Sequence, residues 1–149
     1  MWNDFKRYTK FPRTKKLLLC EALIALATAR VAMACLPFKW IAAWLGTPGV
    51  ETPDIVAPDE ILIAKEIGWA VSRLAPRVPW DGRCLAQALA ATGMLRRRGL
   101  EGTVSFGAGR NSSAEFGAHA WLRLGSVLVT GAPEHEHFKA FTTFARRRV

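Results

Sequence analysis

The sequence predicts an α+β protein in which N-terminal helices are followed by a central helix packed against a small antiparallel sheet. Three observations support this fold class. The chain has 149 residues, half of them hydrophobic, which is enough for a buried core. Its first half is rich in Leu and Ala at helical spacing, and after residue 100 short strand-like segments alternate with glycine turns. We expect a helical segment with a linker over 1–58 and a core over 59–149, together forming one compact unit.

The N-terminal half contains three predicted helices. Between Lys16 and Trp44 apolar residues recur at helical spacing until Pro37 interrupts them, which predicts two helices meeting there. Residues 46–58 contain several glycines and prolines and are typical of a linker or long loop. Pro58, followed by two acidic residues, then favours a third helix that ends before Pro76.

The C-terminal half contains the central helix and the sheet. Residues 83–98 favour a helix, and the glycine that follows favours its C-terminal stop. Gly125 and Ser126 predict a two-residue hairpin turn. The predicted strands are 103–106, 119–124 and 127–130. We expect residues 107–117 to form a polar, glycine-rich loop, and residues 135–149 to form a basic tail with Phe138, Phe141 and Phe144 at helical spacing.

The chain is strongly basic, with 21 Lys and Arg against 12 Asp and Glu and a formal net charge of +9. This charge attracts an acidic peptide, an anionic membrane or nucleic acid. The basic clusters carry few interleaved aromatic residues, unlike base-stacking surfaces, so we expect no nucleic-acid partner. The arginine run 96–98 is typical of a solvated helix end, and the alternative is that it attracts an acidic peptide.

Cysteine and histidine patterns argue against cofactors. The three cysteines, Cys20, Cys35 and Cys84, form no C-x-x-C pair, so neither a disulfide framework nor a zinc site is indicated. His135 and His137 lack further candidate ligands nearby, and a solvated tail is the expected state of this segment. The glycines at 107–109 lack the lysine of a phosphate-binding loop. We predict no metal and no cofactor, and a reducing cytoplasm as the compartment.

A basic N-terminal stretch precedes Leu17-Leu18-Leu19, as in a signal peptide. However, Glu21 and Arg30 fall inside the apolar region, and no uninterrupted apolar run approaches the roughly 18–20 residues of a spanning helix. We therefore expect a soluble protein without a membrane span.

Cys84 and His119 are the candidate catalytic residues. Asp81 is placed to cap the central helix, which puts Cys84 in its first turn, where the helix dipole and free N–H groups favour a thiolate and bind an oxyanion. His119 follows thirty-five residues later at the start of a strand, from which it could take the thiol proton. A small buried cysteine and a structural histidine are the ordinary alternatives.

Several stretches of this chain resemble the B-type maturation proteins of lasso-peptide clusters, which belong to the transglutaminase-like cysteine peptidase superfamily. The stretches are Trp80-Asp81-Gly82-Arg83-Cys84-Leu85-Ala86-Gln87-Ala88-Leu89, Leu95-Arg96-Arg97-Arg98-Gly99, Phe116-Gly117-Ala118-His119-Ala120-Trp121-Leu122 and Leu36-Pro37-Phe38. The resemblance implies a papain/transglutaminase-like core with Cys84 as nucleophile and His119 as base and then acid. It also implies a ribosomal precursor peptide as substrate, cleaved between leader and core. The implied partners are a separate leader-recognition protein and a lasso cyclase.

The sequence departs from the family pattern in one place. Members often carry an aspartate on the strand after the histidine, where this chain has Gly131. A regular hairpin at Gly125-Ser126 places His119 opposite Ala132, on the face that also carries Glu134. Glu134 is therefore the nearest candidate for the third catalytic residue. Thr130, a backbone carbonyl, or no third group at all remain open, and a solvated loop carboxylate is the ordinary state of Glu134.

Two further functions share this fold. The missing aspartate favours a non-catalytic scaffold or peptide-binding protein. An acyl-enzyme on Cys84 can also pass to an amine instead of water, which gives amide transfer in place of proteolysis. Nucleic-acid binding ranks last, and strong, salt-sensitive binding to arbitrary DNA would revive it.

Overall fold

The computed structural model describes residues 10–79, 83–110, 113–132 and 134–146. Its architecture confirms the predicted α+β class with a small antiparallel sheet. In chain order the elements are α1 Arg13–Cys35, α2 Phe38–Leu45, β1 Thr47–Pro48, α3 Pro58–Leu74, α4 Cys84–Arg97, β2 Thr103–Arg110, β3 Phe116–Leu124, β4 Val127–Thr130, a 3₁₀ turn Glu134–His137, and β5 Phe138–Ala145. The sheet has the order β1-β5-β2-β3-β4, and all neighbouring strands are antiparallel.

Prolines set the helix boundaries as predicted. Pro37 is the N-cap of α2 with an extended backbone, which separates α2 from α1. Pro58 is the first residue of α3, and the Glu60 carboxylate accepts a hydrogen bond from the Ala57 N–H at 3.2 Å. The first turn of α3 therefore combines a proline that needs no N–H partner with an acid that suits the helix dipole.

The predicted loop over 107–117 is mostly strand, and that prediction was wrong. β2 continues to Arg110 and pairs with β3 and β5 along its length. A Cβ at Gly107 would lie 2.7 Å from the Trp121 indole and 2.9 Å from the Lys139 carbonyl oxygen. The glycine is present because neighbouring groups approach its backbone closely, and not because the chain turns there.

Residues 138–145 of the expected C-terminal tail form strand β5, so the expected helical spacing of its phenylalanines was wrong. β5 lies between β1 and β2. Phe144 packs edge-on against Phe106 at 5.5 Å, whereas Phe141 lies at a bulge opposite Phe106 and Gly107 and is exposed. Pairing with β2 satisfies the backbone N–H and C=O groups of this segment, and the bulge breaks the two-residue period that would have revealed a strand.

The helices and the sheet share one hydrophobic core. α4 lies between α1 on one side and β3 on the other, and α3 contacts α1, α4 and β4. The core contains residues from both sides of position 58, such as Leu26 of α1 and Leu122 of β3. The division of the chain into 1–58 and 59–149 stays a prediction.

α1 is the one helix in the described ranges that is long and apolar enough to cross a membrane by length and composition. Glu21 and Arg30 both lie within it, and 22% of its most apolar window is buried against the rest of the protein. Core helices and signal sequences satisfy the same two criteria. The expectation that no segment spans a membrane therefore stays a prediction.

The run 96–98 is not the solvated helix end that was expected, because Arg96 and Arg98 bond residues of other elements. Arg96 is largely buried, and its guanidinium donates to the Glu101 carboxylate at 2.7 Å and to the carbonyls of Trp44 and Leu45, both at 2.6 Å. Arg98 bonds Glu21 of α1 at 2.7 Å. Arg97 also reaches Glu21, at 3.2 Å, but its side chain is 73% exposed.

Replacing Arg96 by Ala is expected to lower the free energy of unfolding by about 3–5 kcal/mol, because Glu101 would remain buried without its cation. Arg97→Ala is the matched control on the same helix turn, and its loss should stay below about 1 kcal/mol because the pair is solvated. Urea unfolding of both variants measures the difference. Equal losses would contradict the anchoring role of Arg96.

The Glu21–Arg98 pair predicts an acid-sensitive contribution to stability. The hydrogen bond from Arg98 lowers the pKa of Glu21 below its ordinary value of 4.5. A folded-state pKa below the unfolded value stabilises the protein above pH 4.5, and this stabilisation disappears as pH falls through the folded-state pKa. Urea unfolding should show Glu21→Gln less stable than wild type at neutral pH, with the difference shrinking in acid. A difference independent of pH would contradict this linkage.

Candidate active site

Cys84 is the first residue of α4, as predicted for a nucleophile in the first turn of the central helix. The residue before it, Arg83, has an extended backbone and accepts the first helical hydrogen bond from the Gln87 N–H at 3.0 Å. The predicted cap, Asp81, lies outside the described residues. The N–H groups of a first helical turn have no partner inside the helix, so they and the helix dipole stabilise a negative charge at this end.

His119 lies near the start of β3, the strand against which α4 packs. The fold therefore places the two candidate residues on neighbouring elements in contact. His119 is half-buried and lies opposite Gly107 of β2 in the sheet register. Because a glycine occupies the facing position, no side chain of β2 competes with the imidazole there.

Two aromatic rings hold the imidazole of His119. The Trp121 ring lies two residues along β3 with a centroid distance of 5.9 Å, and the Phe138 ring of β5 lies at 5.1 Å. Both rings are close to parallel with the imidazole, at 27° and 30°. Stacked rings restrict rotation of the side chain, so the orientation of the imidazole is set by packing as well as by hydrogen bonding.

The backbone carbonyl of Gly131 holds one imidazole nitrogen. Nε2 of His119 lies 3.0 Å from this oxygen. A carbonyl oxygen can only accept, so Nε2 carries the hydrogen and donates it. In the neutral ring the lone pair then belongs to Nδ1, which makes Nδ1 the nitrogen that can take a proton.

The register expected for Glu134 was wrong, because β4 contains a bulge. The turn at Gly125-Ser126 has two residues as predicted, but Leu122 pairs with Thr130, which leaves Val129 as an extra residue. One extra residue moves all later positions to the opposite face, so the expected pairing of His119 with Ala132 does not follow. Glu134 begins the 3₁₀ turn, and its side chain lies outside the described residues.

Gly131 cannot be replaced by the aspartate that the resembling family often carries. Its φ is +95°, a conformation that L side chains rarely adopt. A Cβ at this position would overlap the Cβ of Trp121, which itself stacks on His119. Position 131 therefore has no room for a carboxylate side chain. Its backbone carbonyl contacts His119 instead and orients the imidazole.

Thr130 does not hold the imidazole in this arrangement. Its side-chain oxygen is buried and has no hydrogen-bond partner within the part of the chain that the structure describes. Of the alternatives that the sequence left open, the backbone carbonyl is the one that contacts His119.

Sequence reasoning missed Phe138 and left Gly131 without a role. Phe138 was assigned to a basic tail, because the paired strand that places it beside His119 is formed by residues distant in sequence. Gly131 was noted only as a missing aspartate. A glycine at an otherwise acidic position is itself a signal, since it indicates close approach of the backbone.

The fold is that of a cysteine-peptidase-like α+β protein. Its helix α4 begins at Cys84 and packs against β3, on which His119 is fixed by a hydrogen bond and by stacked rings. The chain matches the transglutaminase-like superfamily over residues 25–143, well over half of its length. It therefore belongs to the transglutaminase-like superfamily, which generally includes cysteine peptidases and transferases. Comparisons with curated proteins and with solved structures gave no match.

The geometry at Gly131 predicts that restoring the family aspartate disrupts the site. Gly131→Asp and Gly131→Ala each introduce a Cβ at positive φ against Trp121, so each should lower the free energy of unfolding by more than about 1 kcal/mol. Thr130→Val is the adjacent control and should be neutral or stabilising, because the lost hydroxyl has no hydrogen-bond partner among the described residues.

Nitrogen NMR of the imidazole checks the same contact, with the His119 signal assigned by its loss in His119→Gln. Wild type should show hydrogen on Nε2, and the Gly131 variants should lose this fixed tautomer. Hydrogen on Nδ1 in neutral wild type, or a Gly131→Asp protein as stable as wild type, would contradict the assigned arrangement.

Proposed function

We propose that this protein is a cysteine peptidase that removes the leader from a ribosomal precursor peptide during lasso-peptide biosynthesis. The observation that carries the proposal is the contact between His119 Nε2 and the Gly131 carbonyl at 3.0 Å. This contact leaves Nδ1 as a base on the strand packed against the helix that begins at Cys84. The motifs around both residues add the lasso-peptide assignment by resemblance.

In the first half of the reaction, Nδ1 of His119 takes the thiol proton of Cys84, and the sulfur attacks the carbonyl carbon between leader and core. The carbonyl oxygen becomes an oxyanion that the N–H groups at the start of α4 stabilise. Collapse of this intermediate breaks the C–N bond. The imidazolium returns its proton to the departing nitrogen, so the core peptide leaves with a free amine.

In the second half, the leader is held on Cys84 as a thioester. His119 takes a proton from water while the oxygen adds to the thioester carbon. The C–S bond then breaks, the leader leaves as a carboxylic acid that loses its proton to water, and the thiolate recovers the proton from the imidazolium. The free amine of the core is the group that a cyclase needs to close a lactam ring, so the lasso cyclase acts next.

The proposed partners are the precursor peptide and a separate leader-recognition protein, and the proposed compartment is the cytoplasm. The net charge of +9 favours binding of an acidic peptide. Arg97 supports this function because its side chain is 73% exposed although it also bonds Glu21, whereas Arg96 and Arg98 are much less exposed in their ion pairs.

Cleavage should depend on two side chains and not on the other thiols. Mass spectrometry follows the cognate precursor peptide, incubated with the protein and the leader-recognition protein. Wild type should release the leader, Cys84→Ala should release none, and His119→Ala should cleave about 10²–10⁴ times more slowly. Cys35→Ala is the matched control, because Cys35 is an exposed free thiol of α1, and its rate should equal wild type.

Each other outcome selects a different function. Cleavage that survives Cys84→Ala would exclude the thiol mechanism. Absence of cleavage in wild type, with retained binding of the precursor, would support a scaffold that keeps the fold. A product in which an added amine is joined to the leader would support amide transfer from the same acyl-enzyme.

A further inference from the structure

α1 has an apolar face turned away from the core. Its buried residues, among them Leu19 and Leu26, lie on the inner side of the helix. On the opposite side Leu17, Ile24 and Val31 are 61–67% exposed. These three residues are seven apart, so they form one line along about 20 Å of helix.

Beyond Lys16, the outward face of α1 carries no charge. The exposed residues of α1 after Lys16 are Leu17, Cys20, Leu23, Ile24, Thr28, Val31, Ala34 and Cys35. Glu21 and Arg30, the only charged residues in this part of the helix, are both partly buried, and Glu21 bonds Arg98. The solvent side of a surface helix is ordinarily polar or charged, so this face has the composition of one that is covered.

α2 extends the same surface with aromatic residues. Trp40 and Trp44 are both exposed, as is Leu36 just before the helix. Phe38 points elsewhere and packs edge-on against Phe106 of β2. A cavity of about 650 Å³ opens between α1, α2 and α4, and its lining includes Ile24, Leu36 and both tryptophans. Ile24, Leu36, Trp40 and Trp44 therefore line one continuous apolar surface. Together with Leu17 and Val31, which lie in line with Ile24 on α1, we call it the α1–α2 face.

Basic residues border the α1–α2 face. Between positions 10 and 50 the chain has six Lys and Arg and one acid, Glu21. Lys10 and Arg13 are exposed at the N-terminal end of α1, and Lys39 is exposed beside Trp40. Apolar side chains with tryptophans and a cationic border match the interface of an anionic bilayer, where the rings lie at headgroup level and the cations meet lipid phosphates.

We propose that the α1–α2 face binds the surface of an anionic lipid membrane and places the protein there as a peripheral protein. α1 lies parallel to the membrane instead of crossing it, because its inner face supplies Leu19 and Leu26 to the core shared with α3 and α4. Crossing would remove this face from the core. The charge of the border favours anionic lipid over an apolar protein groove. This binding goes beyond the proposed peptidase function and does not depend on it.

Sedimentation with vesicles tests the proposal. Wild type should bind vesicles of phosphatidylglycerol and phosphatidylcholine in equal parts at least about tenfold more tightly than phosphatidylcholine alone, and added salt should weaken the binding. The double variant Ile24→Gln/Val31→Gln keeps the charge and changes only exposed positions. It should bind the anionic vesicles at least about tenfold more weakly than wild type.

Ile55→Gln is the matched control, because Ile55 is 91% exposed in the loop beside the β3–β4 turn, away from α1. Its binding should equal that of wild type. Circular dichroism of each variant separates loss of binding from loss of fold, and peptide cleavage by the double variant is measured separately because the active site is unchanged.

Three results would overturn the proposal. Wild type that fails to bind anionic vesicles excludes a membrane surface. Equal binding by the double variant shows that charge alone attracts the protein. Concentration-dependent self-association, or binding to the leader-recognition protein, that is lost in the double variant while vesicles do not bind would identify the α1–α2 face as a protein interface.

Discussion

The ion pair between Arg96 and Glu101 joins four parts of the fold. Arg96 satisfies the carbonyls at the end of α2, which have no partner inside that helix. Glu101 precedes β2, and it accepts a hydrogen bond from the backbone N–H of Arg146 at the end of β5. The C-terminal end of α4 is thereby tied to α2 and to the neighbouring strands β2 and β5. Since a helix is rigid, this anchor also sets the position of Cys84, about 20 Å away at the other end.

The site orients its histidine with a neutral group. An aspartate would both orient the imidazole and stabilise its positive form, whereas the carbonyl of Gly131 supplies mainly the orientation. Stacking against Trp121 and Phe138 supplies the remaining restraint. Trp121 links the two effects, because it fits against the imidazole only where both Gly107 and Gly131 lack a side chain. The glycine at position 131 and the close packing of Trp121 are thus one structural feature.

α1 serves two surfaces at once. Its inner face completes the core around α3 and α4, and its outward face carries apolar residues bordered by cations. A helix that is apolar on all sides has no solvent-adapted face. The same composition that makes α1 resemble a spanning segment therefore fits a helix packed on protein on one side and on lipid on the other.

The sequence alone determined the features that depend on local chemistry. Pro37 and Pro58 placed the helix boundaries, Gly125 and Ser126 placed the hairpin turn, and the motifs around Cys84 and His119 indicated a candidate catalytic pair. Only the tertiary structure decided that β5 is a strand, that Val129 is a bulge, and that Gly131 holds the histidine. These features arise from pairing and close approach between segments far apart in the chain. The spacing of residues along the chain cannot predict such contacts, because the role of a bulge or a glycine depends on the distant segment that packs against it.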